Sequence, residues 1–236
     1  MTPSPLFLDL HTIPAHPDTL KLLATLLVGD SSNFTSDALL MPEASQIGIL
    51  CYACEDIRGG QPIVAIGIGI GEHEKYRSQV EIVQTAARLI GAYIPIVIWN
   101  EWPLHYLLGK ATILGEKMPR LVDAKPWKGE VFALQNILAS WRGKLGYSYL
   151  NFEFLSAAYG MWQPWSMFTD EIFTSADIPT LMGAFSDKAI AYSLWRVAVM
   201  RALWDSMSGV LVPDYGVQSE HHFANDIELA QEYFIK

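Results

Sequence analysis

Two hydrophobic periods alternate along the chain, and each change of period marks an element. Pro5 to Pro14 is an apolar run with a proline at each end and one acid, Asp9, at its middle. That pattern predicts a short buried strand presenting a single charged side chain. Gln46 to Ala53 predicts a second strand and Pro62 to Ile70 a third. The Gly-rich turn from Glu55 to Gly60 joins them, so the pair should run antiparallel. Pro14 to Pro42 reads as an insertion between strands, with a helical patch over Asp18 to Leu27 and a polar loop over Gly29 to Asn33.

Tyr76, Val80, Val83, Ala87 and Ile90 recur at helical spacing while Glu81, Gln84 and Arg88 face away, which predicts an amphipathic helix over Tyr76 to Ala92. Tyr93 to Trp99 is apolar on both faces, as in a central strand covered by helices. Asn100 follows, and Glu101 opens a helix to about Leu114 with Pro103 in its first turn. Leu121 to Asp123 reads as extended, and Val131, Leu134, Ile137, Leu138 and Trp141 as a further amphipathic helix. Asn151 is an N-cap, Leu150 and Leu155 are placed as a hydrophobic staple, and Glu153 suits the positive end of a helix that stops at Gly160. Trp162 to Asp177 is aromatic and irregular. A long, mostly buried helix then runs from Asp187 to about Met207, Gly209 ends it, and the tail has weak helical character from Ala224 to Tyr233.

Composition narrows the class. With 236 residues, 51% hydrophobic and 17% charged, the chain can bury a full core, and it reads as one domain with a tail from about residue 209. The longest apolar run, Leu89 to Trp99, is too short to span a bilayer, and the amino terminus lacks a basic segment followed by an apolar one. The expectation is a soluble, cytoplasmic protein with no membrane partner. A net charge of −9 argues against a general nucleic-acid coat and leaves room for a local groove. Cys51 and Cys54 form a Cys-x-x-Cys in or just after a strand with no second pair to complete a zinc site, so buried thiols are expected. Gly67, Gly69 and Gly71 have the wrong spacing and place for a phosphate loop, and fall on one strand face where a helix packs closely. No Gly-x-Ser-x-Gly elbow is present.

Asp9 is the residue that asks for chemistry, since a lone carboxylate in an apolar strand costs roughly several kcal/mol unless it is paired or holds a metal. Three strands, a helix, a strand ending in Asn, a helix and then further helices is the order of a ribonuclease H-like α/β fold, a mixed sheet flanked by helices. Within it, the stretch from Phe7 to Pro14 resembles the first motif of the DnaQ-like (DEDDy-type) 3′–5′ exonucleases, in particular stand-alone proteins similar to the exonuclease domain of B-family DNA polymerases. Trp99-Asn100 and the helix after it resemble the second motif. Leu121 to Asp123, Ile137 to Ala139 and Leu155 to Gly160 are similar to segments between the motifs, and Tyr192 to Arg196 has the frame of the third.

The resemblance implies a nuclease with two divalent metals held by four acids, one metal activating water, and a tyrosine orienting that water. It also implies which positions changed. Asp9 is kept; His11 stands where a glutamate belongs; either Glu101 or His105 falls at the second-motif acid; Arg196 replaces the last acid, with Tyr192 retained. Two Mg²⁺ ions should fail to bind beside an arginine that is always cationic. Three readings follow: a degenerate exonuclease with weak or absent hydrolysis, in which Arg196 pairs with Asp9; a working nuclease rebuilt around a single Mn²⁺ or Zn²⁺ on Asp9, His11 and His105; or an interaction subunit or unrelated metal hydrolase, since Asp9 to Thr12 also looks like the opening of histidinol-phosphatase-type enzymes. The implied partners are a single-stranded nucleic-acid 3′ end, met by Trp99, Asn100 and Arg142, or a protein, including a second copy of the chain. Trp162, Trp165 and Phe168 could stack on bases or belong to the core or a homodimer patch. His221-His222 reads as a solvated tail.

Overall fold

The computed structural model describes residues 4–26, 38–58, 61–70, 76–123, 130–141, 151–167, 169–184 and 186–211. Its centre is a mixed sheet of five strands: β1 (Leu6–Pro14), β2 (Ser45–Arg58), β3 (Gln61–Ile70), β4 (Ile96–Ile98) and β5 (Val131–Ala133), in the order β3-β2-β1-β4-β5. β1 pairs antiparallel with β2 and parallel with β4, β2 pairs antiparallel with β3, and β4 parallel with β5. The helices are α1 (Pro17–Leu26), α2 (Tyr76–Ala92), α3 (Trp102–Leu114), α4 (Pro119–Asp123), α5 (Leu134–Trp141), α6 (Phe152–Ala158), α7 (Ile178–Ala184) and α8 (Ser186–Leu211).

β1 is the middle strand, and every residue from Leu6 to Ile13 is buried. Side chains alternate across a strand, so Leu6, Leu8 and Leu10 join one apolar cluster with α2 and α3, while Phe7 joins the other with α5, α6, α7 and α8. Asp9 and His11 share the parity of Phe7 and therefore face α8. The same alternation sends Cys51 to one cluster and Cys54 to the other, so the Cys-x-x-Cys straddles the sheet and carries no disulfide. Gly69 sits under α2 as expected, where a β-carbon would come within 3.1 Å of Ile82; at Gly67 the close neighbour is the Tyr52 ring.

α2 has the expected limits, yet its inner stripe is turned: Gln79, Ile82, Val83, Ala86 and Ile90 are buried, whereas Val80 and Ala87 are half-buried. Gln79 bonds both the N–H and the C=O of Ile47, each at 2.9 Å, completing the β2 backbone beside the register shift between His11 and Thr12. α8 departs most from an amphipathic helix. Every residue from Ala189 to Arg201 is buried, with Trp195 and Trp204 among the largest enclosed side chains, so it is a central helix covered all round.

Several expectations are corrected. Leu121 to Asp123 is helical, as the end of α4, not extended. Val131 does not open a helix: Val131–Ala133 is the edge strand β5, and the helix begins at Leu134. β4 is shorter than Tyr93 to Trp99. α8 continues through Gly209 to Leu211, since one glycine costs a helix only about 1 kcal/mol. α7 had no readable signal, being only Ile178–Ala184 with Pro179 and Gly183 inside it. Trp165 is core, whereas Trp162 is 59% exposed. Phe168, Arg142, Leu150, the loop Gly29 to Asn33, His221-His222 and the helical signal at Ala224 to Tyr233 lie outside the described residues.

Candidate functional site

β1 and β4 run parallel, but the chain leaves β1 toward β2 and β4 toward β5. A gap therefore opens beyond their carboxyl ends, the place where open α/β sheets bind ligands. The cleft there has a volume of about 300 Å³ and is lined by Asp9, His11 and Thr12 from β1, Trp99 and Asn100 after β4, Trp102 and Pro103 from α3, and Arg196 from α8, among others.

Arg196 and Asp9 form its floor. Arg196 Nε donates to Asp9 Oδ2 at 2.7 Å and Nη2 to Oδ1 at 3.3 Å, a two-point pairing with both side chains under 10% exposed. A guanidinium carries five donors and one carboxylate cannot satisfy them. Nη1 accordingly reaches the Tyr192 hydroxyl at 3.2 Å, Ser175 Oγ at 3.1 Å and Glu153 Oε1 at 3.4 Å. The Tyr192 hydroxyl in turn donates to Glu153 Oε1 at 2.5 Å. The guanidinium also lies 4.0 Å from the centroid of the Phe152 ring, a cation–π contact. Burial pushes the Asp9 carboxyl up, but Arg196 first and His11 second outweigh it and hold the group well below the usual carboxylate range. Burial likewise opposes the charge on Arg196, and Asp9 more than restores it. Tyr192 is raised by burial and stays a neutral hydroxyl.

His11 Nε2 comes within 2.9 Å of Asp9 Oδ2 without the alignment of a hydrogen bond. Its ring tilts against Tyr192. Asp9, His11, Tyr192 and Arg196 are thus brought together, with Trp99 and Asn100 at the mouth of the cleft. Glu101 and His105 are not: they face each other one turn apart on α3 at 3.8 Å, with the His105 side chain 75% exposed. Among the described residues no group of three His, Cys, Asp or Glu side chains is placed to hold a metal ion. The donor set does not fit the two metals implied by the resemblance, because both Asp9 oxygens are engaged by Arg196.

Glu153 and Ser175 escaped the sequence reading. Glu153 lies in the first turn of α6, where the Asn151 cap accepts from the Phe154 N–H at 2.7 Å, and an acid there explains itself as a helix-end charge. The signal that could have found it is Arg196 itself, whose donors outnumber the acceptors of Asp9. Ser175 sits in a short turn with no periodicity. No family model, curated protein or solved structure matches the chain.

Proposed function

We propose that this chain is a catalytically retired 3′–5′ exonuclease-like protein: a ribonuclease H-like fold that keeps the cleft at the end of β1 and works there by binding, not cutting. The observation that carries the reading is the two-point grip of Arg196 on Asp9. A fixed cation delivers to the carboxylate what a divalent metal would, but it neither ionises a water nor leaves an oxygen of Asp9 to do so. The sheet order, the strand directions and a carboxylate at the middle of β1 support the fold assignment. Cys51 and Cys54 on opposite sheet faces suit a reducing, cytoplasmic setting. The resemblance leaves two occupants, a nucleic-acid end and a protein.

The test is digestion of a 3′-labelled single-stranded oligonucleotide with Mg²⁺, Mn²⁺ or Zn²⁺ added separately, beside an Asp9→Ala control. The oligonucleotide is expected to stay full length under every condition. Shortening that depends on Asp9 would overturn the reading and establish a working nuclease.

A further inference from the structure

We propose that the chain pairs with a second copy of itself along the open edge of β3, antiparallel and about a two-fold axis at Ile66, so that two five-stranded sheets become one. β3 ends the sheet: it pairs with β2 on one side over its whole length, and its other side carries no strand among the described residues. Ten residues present about 33 Å of edge, from which alternate N–H and C=O groups turn outward. Proteins usually blunt such an edge with charge, proline or a bulge. The sequence from Gln61 to Ile70 holds no charged residue, its one proline stands beside the turn, and its register with β2 runs through ten pairs without a shift. The edge is an unbroken, uncharged template.

Charge and register choose the occupant. A net charge of −9 opposes contact between copies over most of the surface, whereas two β3 strands meet with no like charges opposed. An axis perpendicular to the sheet at Ile66 matches the stretch from Pro62 to Ile70 with itself. Val64 then falls opposite Ile68, Ala65 opposite Gly67 and Ile63 opposite Gly69. β-Branched residues are paired at one parity, and at the other each glycine is paired with a residue that has a β-carbon. The end of the strand is open to this pairing: Ile70 is 42% exposed, and Gly67, Ile68 and Gly69 are half-buried.

The opposite edge makes the assembly finite. β5 spans Val131–Ala133, three residues that cannot match a ten-residue strand. Pairing therefore closes at two copies and does not run on as a fibre. The interface lies two strands away from β1, so its failure leaves the reading of the cleft untouched.

The experiment takes the full chain to sedimentation equilibrium, where twice the mass of one chain is expected at about 100 µM, a concentration that reveals a small interface. Ile66→Lys, which opposes two ammonium groups on the axis, should weaken the dimer about tenfold, its folding checked by circular dichroism. Cysteine reads the register without adding charge. Ile66→Cys should be joined to its copy by oxidation or a short bismaleimide, whereas Val64→Cys and Ile68→Cys, each about 13 Å from its own copy along the strand, should not. The parent protein, with Cys51 and Cys54 buried, supplies the background. A single-chain mass at every concentration would leave the edge to a foreign strand and overturn the proposal. Equal crosslinking at the three positions, or a folded Ile66→Lys protein that dimerises as well as the parent, would also overturn it.

Discussion

Among the buried cations, Arg196 and Lys110, one on each side of the sheet, are handled in opposite ways. Arg196 on α8 is met by carboxylates, a hydroxyl pair and an aromatic face, and it borders a cleft. Lys110 on α3 donates instead to two backbone carbonyls, Pro42 at 2.9 Å and Ser45 at 2.6 Å, beside a Tyr106–Ser45 hydroxyl contact at 3.0 Å. These backbone acceptors stitch an irregular connection onto a helix. Burial pushes the Lys110 ammonium down to about 8, with Glu43 opposing the shift, whereas Arg196 keeps its charge because two carboxylates share its site. A buried charge is a sign of function only when its partners are side chains that could have been apolar and it opens onto space.

The comparison breaks most readily at Arg196. Arg196→Met should destabilise the fold by about 3–5 kcal/mol in urea denaturation, because buried Asp9 and half-buried Glu153 are left without their cation. Replacing both partners, as Asp9→Leu with Arg196→Met, should recover most of that loss, since a buried ion pair exchanged for apolar groups is close to neutral. A double variant no more stable than the single one would show that the pair is needed for folding itself.

Lys110→Met should cost less, about 1–3 kcal/mol, for two carbonyls losing their donor. It should also change a pH profile. Between pH 8 and about 10 the unfolded chain keeps its lysine protonated while folded Lys110, lowered to about 8, gives up its proton. The unfolded state then binds more protons, so wild-type stability should rise with pH across that window, and the rise should shrink in the variant. A flat wild-type profile would mean that the two carbonyls hold the ammonium charged. Smallest is Asn151→Ala, which removes the α6 cap and should cost about 1 kcal/mol while leaving the Arg196 network in place. A larger loss would show that the cap also positions Glu153.

Local pattern was enough for the elements with a clean period or a capping signature. β1, β3, α2, α3 and the Asn151 cap were all legible, because prolines, glycines and repeat spacing act within a few residues of the backbone they govern. β5 and α7 were not, for three apolar residues or about two turns carry too little period, and each is ordered by the elements it packs on. Asp9 announced itself as a charge in an apolar strand, and its pairing with Arg196 was one of the readings the residues left open.

What tertiary structure alone decided is the company those residues keep. Asp9 and Arg196 are 187 positions apart, and only the seating of α8 across β1 turns two expensive charges into one neutral site. The seating of α3 that leaves His105 exposed, and the packing of α6 that brings Glu153 to Arg196, are likewise settled between elements and not within them. That a charge would be buried at Asp9 follows from the apolar run around it, because alternation in a strand is local. Which group would neutralise it depended on distance in space, and that is a property of the assembled core.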